Sequence, residues 1–166
     1  AAALDDMGHV HWLRGGYAQA LEFHRQALTL RRAVGDRRSI ALSLANIGRV
    51  HHDSGNFEAA IAQVREALEL RREVGDRLGV VQSLCDLVGL FVEEGALPRA
   101  QDLISEARAT AAQIGDKLAM ADVMARQGQV DAAAGRYAKA VEALAQAKTL
   151  AGELGDRAGM ATSQLR

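Results

Sequence analysis

LRREVGDR, residues 70 to 77, closes a run of helical periodicity, and a near copy, LRRAVGDR, stands at residues 30 to 37. Their surroundings align without a gap in four windows: GGYAQALEFHRQALTLRRAVGDR from residue 15, GNFEAAIAQVREALELRREVGDR from 55, GALPRAQDLISEARATAAQIGDK from 95, and GRYAKAVEALAQAKTLAGELGDR from 135. The period is 40 residues. All four windows share an opening glycine (Gly15, Gly55, Gly95, Gly135), one alanine at Ala20, Ala60, Ala100 and Ala140, another at Ala27, Ala67, Ala107 and Ala147, and a closing Gly-Asp. A fixed period of this length marks a repeat architecture, in which each unit buries its apolar face against its neighbours.

Each shared residue has a mechanical role. Between the opening glycine and Gly-Asp, Phe57, Ala60, Ile61, Val64, Ala67, Leu68 and Val74 recur at helical spacing and define one buried face of a helix, B. Gly75 suits the left-handed cap that ends it, and Asp76 the N-cap of the next helix, its carboxylate accepting from free backbone N–H groups. That next helix, A, runs from about residue 37 to 53 and buries Ile40, Leu44, Ile47, Gly48 and His51. Alanine and glycine at the crossings let two antiparallel helices approach closely, so each repeat is a helix hairpin. Propeller blades need four short strands per repeat, and these windows show no period-two alternation.

In the second repeat Leu44, Ile47-Gly48, His51, Gly55, Phe57, Ala60, Val64 and Ala67 fall where the tetratricopeptide repeat has its bulky residue, Leu-Gly, Tyr, Gly-x-Tyr-x-x-Ala, and its aromatic and Ala. The chain resembles that family over essentially its whole length. The usual repeat is about 34 residues; the longer form here resembles the repeats of bacterial signalling and transcriptional regulators and of the Pins and kinesin-light-chain scaffolds. The resemblance implies an all-α right-handed solenoid of four hairpins, about 1–35, 36–75, 76–115 and 116–155, with 156–166 starting a further helix, in one domain cut from a longer protein. Three departures stand out. Val88 occupies the small glycine position in repeat three, with Gly89 displaced by one. Gln127 and Asp131 replace apolar and aromatic residues in repeat four, so its helix A is expected to be the least firmly packed. Pro98 falls at the start of a B helix, where a missing N–H costs little.

Composition agrees. With 49% apolar and 25% charged residues the chain is a folded one, and six aromatics and one proline favour helix over sheet. A formal charge of −1 gives no long-range attraction to nucleic acid or an anionic membrane. The single cysteine, Cys85, admits no internal disulfide or CxxC site, which points to a reducing compartment and so the cytoplasm. No segment approaches the roughly eighteen apolar residues of a membrane span, and AAALDDMGHV lacks the basic region of a signal peptide.

The resemblance places ligands on the A-helix face, and the helical period identifies its free positions as those opposite the buried stripe. The expected partner-binding residues are Asp5, His9, Trp12, Asn46, Arg49, His52, Asp53, Asp86, Glu93, Arg126 and Gln129. Asn46 matches the asparagine with which related repeats grip a peptide backbone, while Trp12, His9, His52 and Arg49 lie on neighbouring A helices where they could form an aromatic and basic patch of the kind that dominates binding hot spots. Cys85 is expected to face the same groove with no base to activate it. His9, His11, His24, His51 and His52 all lie in the first two repeats, but His11, His24 and His51 replace buried aromatics and no metal-ligand spacing occurs. No metal, cofactor or catalytic residue is expected. The paired arginines Arg31, Arg32, Arg71 and Arg72 read as charges complementing the C-terminal dipole of B helices. The expectation is a non-enzymatic protein- or peptide-binding scaffold, such as the sensory or regulatory repeat region of a bacterial regulator. The alternative is a structural module that self-associates through its open ends.

Overall fold

Every break in the helical periodicity up to residue 136 is a turn held by a left-handed glycine. The computed structural model describes the backbone of residues 1–163 and the side chains of residues 1–152. Its described residues form eight helices and no strand: α1 (Ala2–Leu13), α2 (Tyr17–Val34), α3 (Arg37–Asp53), α4 (Phe57–Glu73), α5 (Arg77–Glu93), α6 (Leu97–Ile114), α7 (Lys117–Ala133) and α8 (Tyr137–Ser163). Odd-numbered helices are the A helices and even-numbered ones the B helices. Glycines with positive φ recur every 20 residues from Gly15 to Gly135, and no other residue type among the described residues has a positive φ. At Gly75 (φ +68°) the chain leaves α4. The Asp76 backbone N–H then donates back to Arg71 O at 2.9 Å, and the Asp76 carboxylate caps α5 by accepting from Gly79 N at 3.0 Å.

The chain divides within α5 into two compact units, Ala1–Ser83 and a second beginning at Leu84. In the first, α1 packs on α2, α2 on α3 and α3 on α4. Its core is the cluster of Leu28, Ile40, Ala41, Leu44, Ala45, Ile47 and Ala67. A Cβ on Gly48 would lie 2.7 Å from Val64 Cγ2, so only glycine allows α3 and α4 to meet as closely as they do. In the second, α6 packs on α7 and α7 on α8. All eight repeat alanines are buried. Pro98 sits in the first turn of α6.

Two of the histidines expected in the core differ from expectation, and the departures from the repeat pattern are accommodated locally. His11 and His51 are half-buried instead of buried, each lying in the last turn of its A helix. Val88 is fully buried, whereas the displaced Gly89 makes room for a side chain instead of a helix: a Cβ there would be 3.0 Å from Arg126 Nη1. Asp131 is buried in the α7 interior. The last element, α8, continues through Gly155-Asp156, where the sequence places the start of a further helix. A glycine inside a helix costs only about 1 kcal/mol relative to alanine, and the other Gly-Asp pairs end helices on which a succeeding helix begins at once.

Candidate functional site

In the first unit the C-terminal halves of α1 and α3 bring six of the expected residues together. Trp12 Nε1 donates to Asp53 Oδ2 at 2.6 Å. The Arg49 guanidinium lies over the same indole, 5.6 Å from its centroid, and the His9 ring is 5.0 Å from it. His52 Nδ1 approaches Asp53 Oδ1 at 3.0 Å, and its ring lies 5.9 Å from that of Phe57. His9, Arg49 and Asp53 are exposed and Trp12 is half-buried. Asn46 is half-buried too, lining with His9, Trp12 and Arg49 a niche of about 10 Å³, room for about one water. The indole is thus fixed from three sides while its surroundings stay accessible, an arrangement that can receive a partner side chain with little reordering.

Asp5 belongs elsewhere. Its side chain is 12% exposed. It is bound by His24 Nδ1 at 2.8 Å and by the Arg31 guanidinium, which also donates to Ser43 Oγ. This network ties α1, α2 and α3 together and engages both carboxylate oxygens of Asp5 within the fold. The helical period assigned Asp5 to the free face correctly as a direction, but Arg31 and His24 from α2 cover that direction.

The opening arginines separate in the same way. Arg71 is buried, 6% exposed, with Nη1 donating to Gly79 O at 2.9 Å and Ser83 Oγ at 2.7 Å. Arg31 reaches Ser43, and Arg71 reaches Ser83, each twelve residues on. The first arginine of each pair is an interior strut between a B helix and the next A helix, not a solvated helix-end charge. The second is a surface residue: Arg32 pairs with Glu66 at 2.8 Å and Arg72 with Glu69 at 2.7 Å. The serines that mark this role, Ser43 and Ser83, are both fully buried, and the Arg-x11-Ser spacing was the available sequence signal.

In the second unit, Arg126 Nη1 donates to Gln129 Oε1 at 3.0 Å. Asp86 is half-buried, Glu93 is exposed, and both have interaction partners. Cys85 does not face a groove: it is 5% exposed. Burial pushes its thiol up to about 12, with Asp122 and Asp86 adding to that and Arg126 opposing it. Such a thiol is inert as a nucleophile at neutral pH. Around Asp131, which accepts from Arg136 Nε at 2.7 Å and Gln127 Nε2 at 3.0 Å, a polar cluster occupies the place of an apolar one. Among the described residues no three His, Cys, Asp or Glu side chains could hold a metal ion, and no helix is long and apolar enough to cross a membrane.

Residues 1–73 match the family model described as Tetratricopeptide repeat, and residues 117–165 match that of Anaphase-promoting complex subunit 5. No curated protein sequence matches. Among solved structures, BtubC (BKLC) from P. vanneervenii is similar at a TM-score of 0.76 and 22% identity, over 92% of this chain and 63% of that one. A Rap protein complexed with Competence and Sporulation Factor gives 0.80 and 16%, over 90% and 42%. A Podosopora anserina putative kinesin light chain with nearly identical TPR-like repeats gives 0.71 and 14%, over 92% and 75%. The chain therefore spans less than two thirds of the first two of these structures.

Proposed function

From the premise that this chain is a tetratricopeptide-type array of helix hairpins, its first two carrying the family's own repeats, we propose that it is a non-enzymatic module that binds a protein or peptide. We assign the contact surface to His9, Trp12, Arg49 and Asp53, with Asn46 and His52 at its margin. One observation carries this reading: an accessible tryptophan is held by a carboxylate at 2.6 Å and capped by an arginine. Trp and Arg are the side chains most enriched in binding hot spots, and a repeat array supplies an extended face around them. A similar fold is seen in a Rap protein complexed with Competence and Sporulation Factor, which is in keeping with a repeat region that binds a regulatory partner; a place in a bacterial cytoplasmic regulator is part of the proposal. Asp86, Glu93, Arg126 and Gln129 lie in the second unit and form no part of this surface.

The test is selection of binding peptides from a displayed library, followed by titration of wild type and an Asn46→Ala, Arg49→Ala variant. Trp12 is the chain's single tryptophan, so its fluorescence reports occupancy directly. Loss of tenfold or more in affinity, about 1.4 kcal/mol, is expected. Peptides that bind both proteins equally and leave the emission unchanged would remove this surface.

A second reading, self-association, rests on apolar residues exposed at two helix faces. Met7 on α1 is 47% exposed although its repeat equivalent Ile47 is 3% exposed, and Leu144 on α8 is 47% exposed against 2% for Val64. Light scattering across a range of concentrations tests it; a monomer throughout rules it out.

A further inference from the structure

In the first unit the space between α2 and α4 above α3 is closed by apolar side chains: Leu28, Leu44 and Ile47 are buried together with Leu21 packed against them. Eighty residues later the corresponding positions are Arg108, Met124, Gln127 and Gln101, and there α6, α7 and α8 surround a cavity of about 570 Å³. Three of the four apolar positions have become polar, with Gln101 and Gln127 half-buried and Arg108 exposed, so the space between the helices is left unfilled and open to water. The bonding is incomplete in a specific way. Asp131 is matched by Arg136 and Gln127, and Gln127 Oε1 is approached by Gln101 Nε2 at 3.4 Å and Arg108 Nη2 at 3.5 Å. Arg108 and Lys139 line the same cavity, yet neither has a carboxylate partner among the described residues. The remaining lining carboxylate, Glu142, accepts from Gln146 at 3.3 Å. Three cations against two carboxylates leave the lining with a net positive charge.

We propose that this cavity binds a small organic anion, one carrying carboxylate or phosphate groups, with Arg108 and Lys139 as counter-charges and Gln101 as a hydrogen-bonding partner. A volume of this size is typical of small-molecule sites. An arginine fork is matched in geometry to carboxylate and phosphate oxygens, and a lysine supplies a point charge beside it. The site lies wholly in the second unit and is independent of the Trp12 surface.

Calorimetric titration of citrate, inorganic phosphate and glycerol into the full chain tests it. Saturable binding of at least one anion at about 1 mM or tighter is expected, with none for glycerol. In an Arg108→Gln, Lys139→Gln variant, both side chains being exposed, the affinity falls at least about tenfold while the circular dichroism is unchanged. A second variant, Arg108→Leu with Gln127→Ile, restores the apolar residues of the first unit and is expected to fold and to lose binding. No saturable anion binding, or equal binding in either folded variant, overturns the proposal.

Discussion

Arg71 and Arg72 are adjacent, identical in type and opposite in role. The first is enclosed by the chain turn and bonded to a carbonyl and a hydroxyl; the second reaches along the helix surface to Glu69. Truncating Arg71 to Ala removes two buried hydrogen bonds and the packing of its side chain and is expected to cost about 2–3 kcal/mol, whereas Arg72→Ala falls within about 0.5 kcal/mol. Chemical denaturation of the two variants makes the comparison. His51 gives a pH-dependent counterpart. Burial, reinforced by the nearby Arg25 charge, lowers its pKa below the ordinary 6.5. The unfolded chain then takes up this proton at higher pH than the folded one. The stabilising contribution is present above 6.5 and is lost as pH falls below it. Replacing His51 by Tyr, the residue that the repeat pattern prefers, is expected to reduce the drop in denaturation midpoint between about pH 7.5 and 5.5.

At the scale of the helix, the turns were legible in sequence because each depends on a left-handed glycine, and the α3–α4 crossing because it depends on Gly48. Gly75 takes a backbone angle unfavourable to other side chains, Asp76 caps, and Gly48 leaves room for Val64. Gly48→Ala is expected to destabilise the chain by about 1–3 kcal/mol through overpacking, despite the roughly 1 kcal/mol that alanine gains in helix propensity. Gly152→Ala, on α8 with nothing within 4 Å of its added Cβ, is expected to raise stability by up to about 1 kcal/mol. Thermal melts of the pair separate the crowding from the propensity. What the sequence could not yield was the reach of long side chains. A helical wheel places Asp5 and Cys85 on a free face, but Arg31 and His24 close over one and neighbouring helices bury the other. Trp12, Arg49 and Asp53 were each assigned to a face; that they converge on one ring depends on how two A helices lie side by side, which periodicity does not contain.

Across the molecule, stability is unevenly supplied, since each hairpin depends on the helices beside it. The apolar cluster around Leu44 and Ile47 is continuous, whereas α7 borders the open polar cavity at Gln127 and Asp131. Native-state hydrogen exchange should therefore be slower for the amides of Leu44 to Val50 than for those of Gln127 to Asp131; the opposite order would show that the polar cluster stabilises α7 as well as the apolar one does α3. The recurring Gly-Asp turn has a genetic consequence as well. Joining Gly35 directly to Asp76 recreates the junction that already exists at Gly35-Asp36, and Arg31 would find Ser83 at the same twelve-residue remove as Ser43. Unequal crossing-over between the coding segments of two repeats can thus add or delete a hairpin while preserving reading frame, turn and strut together.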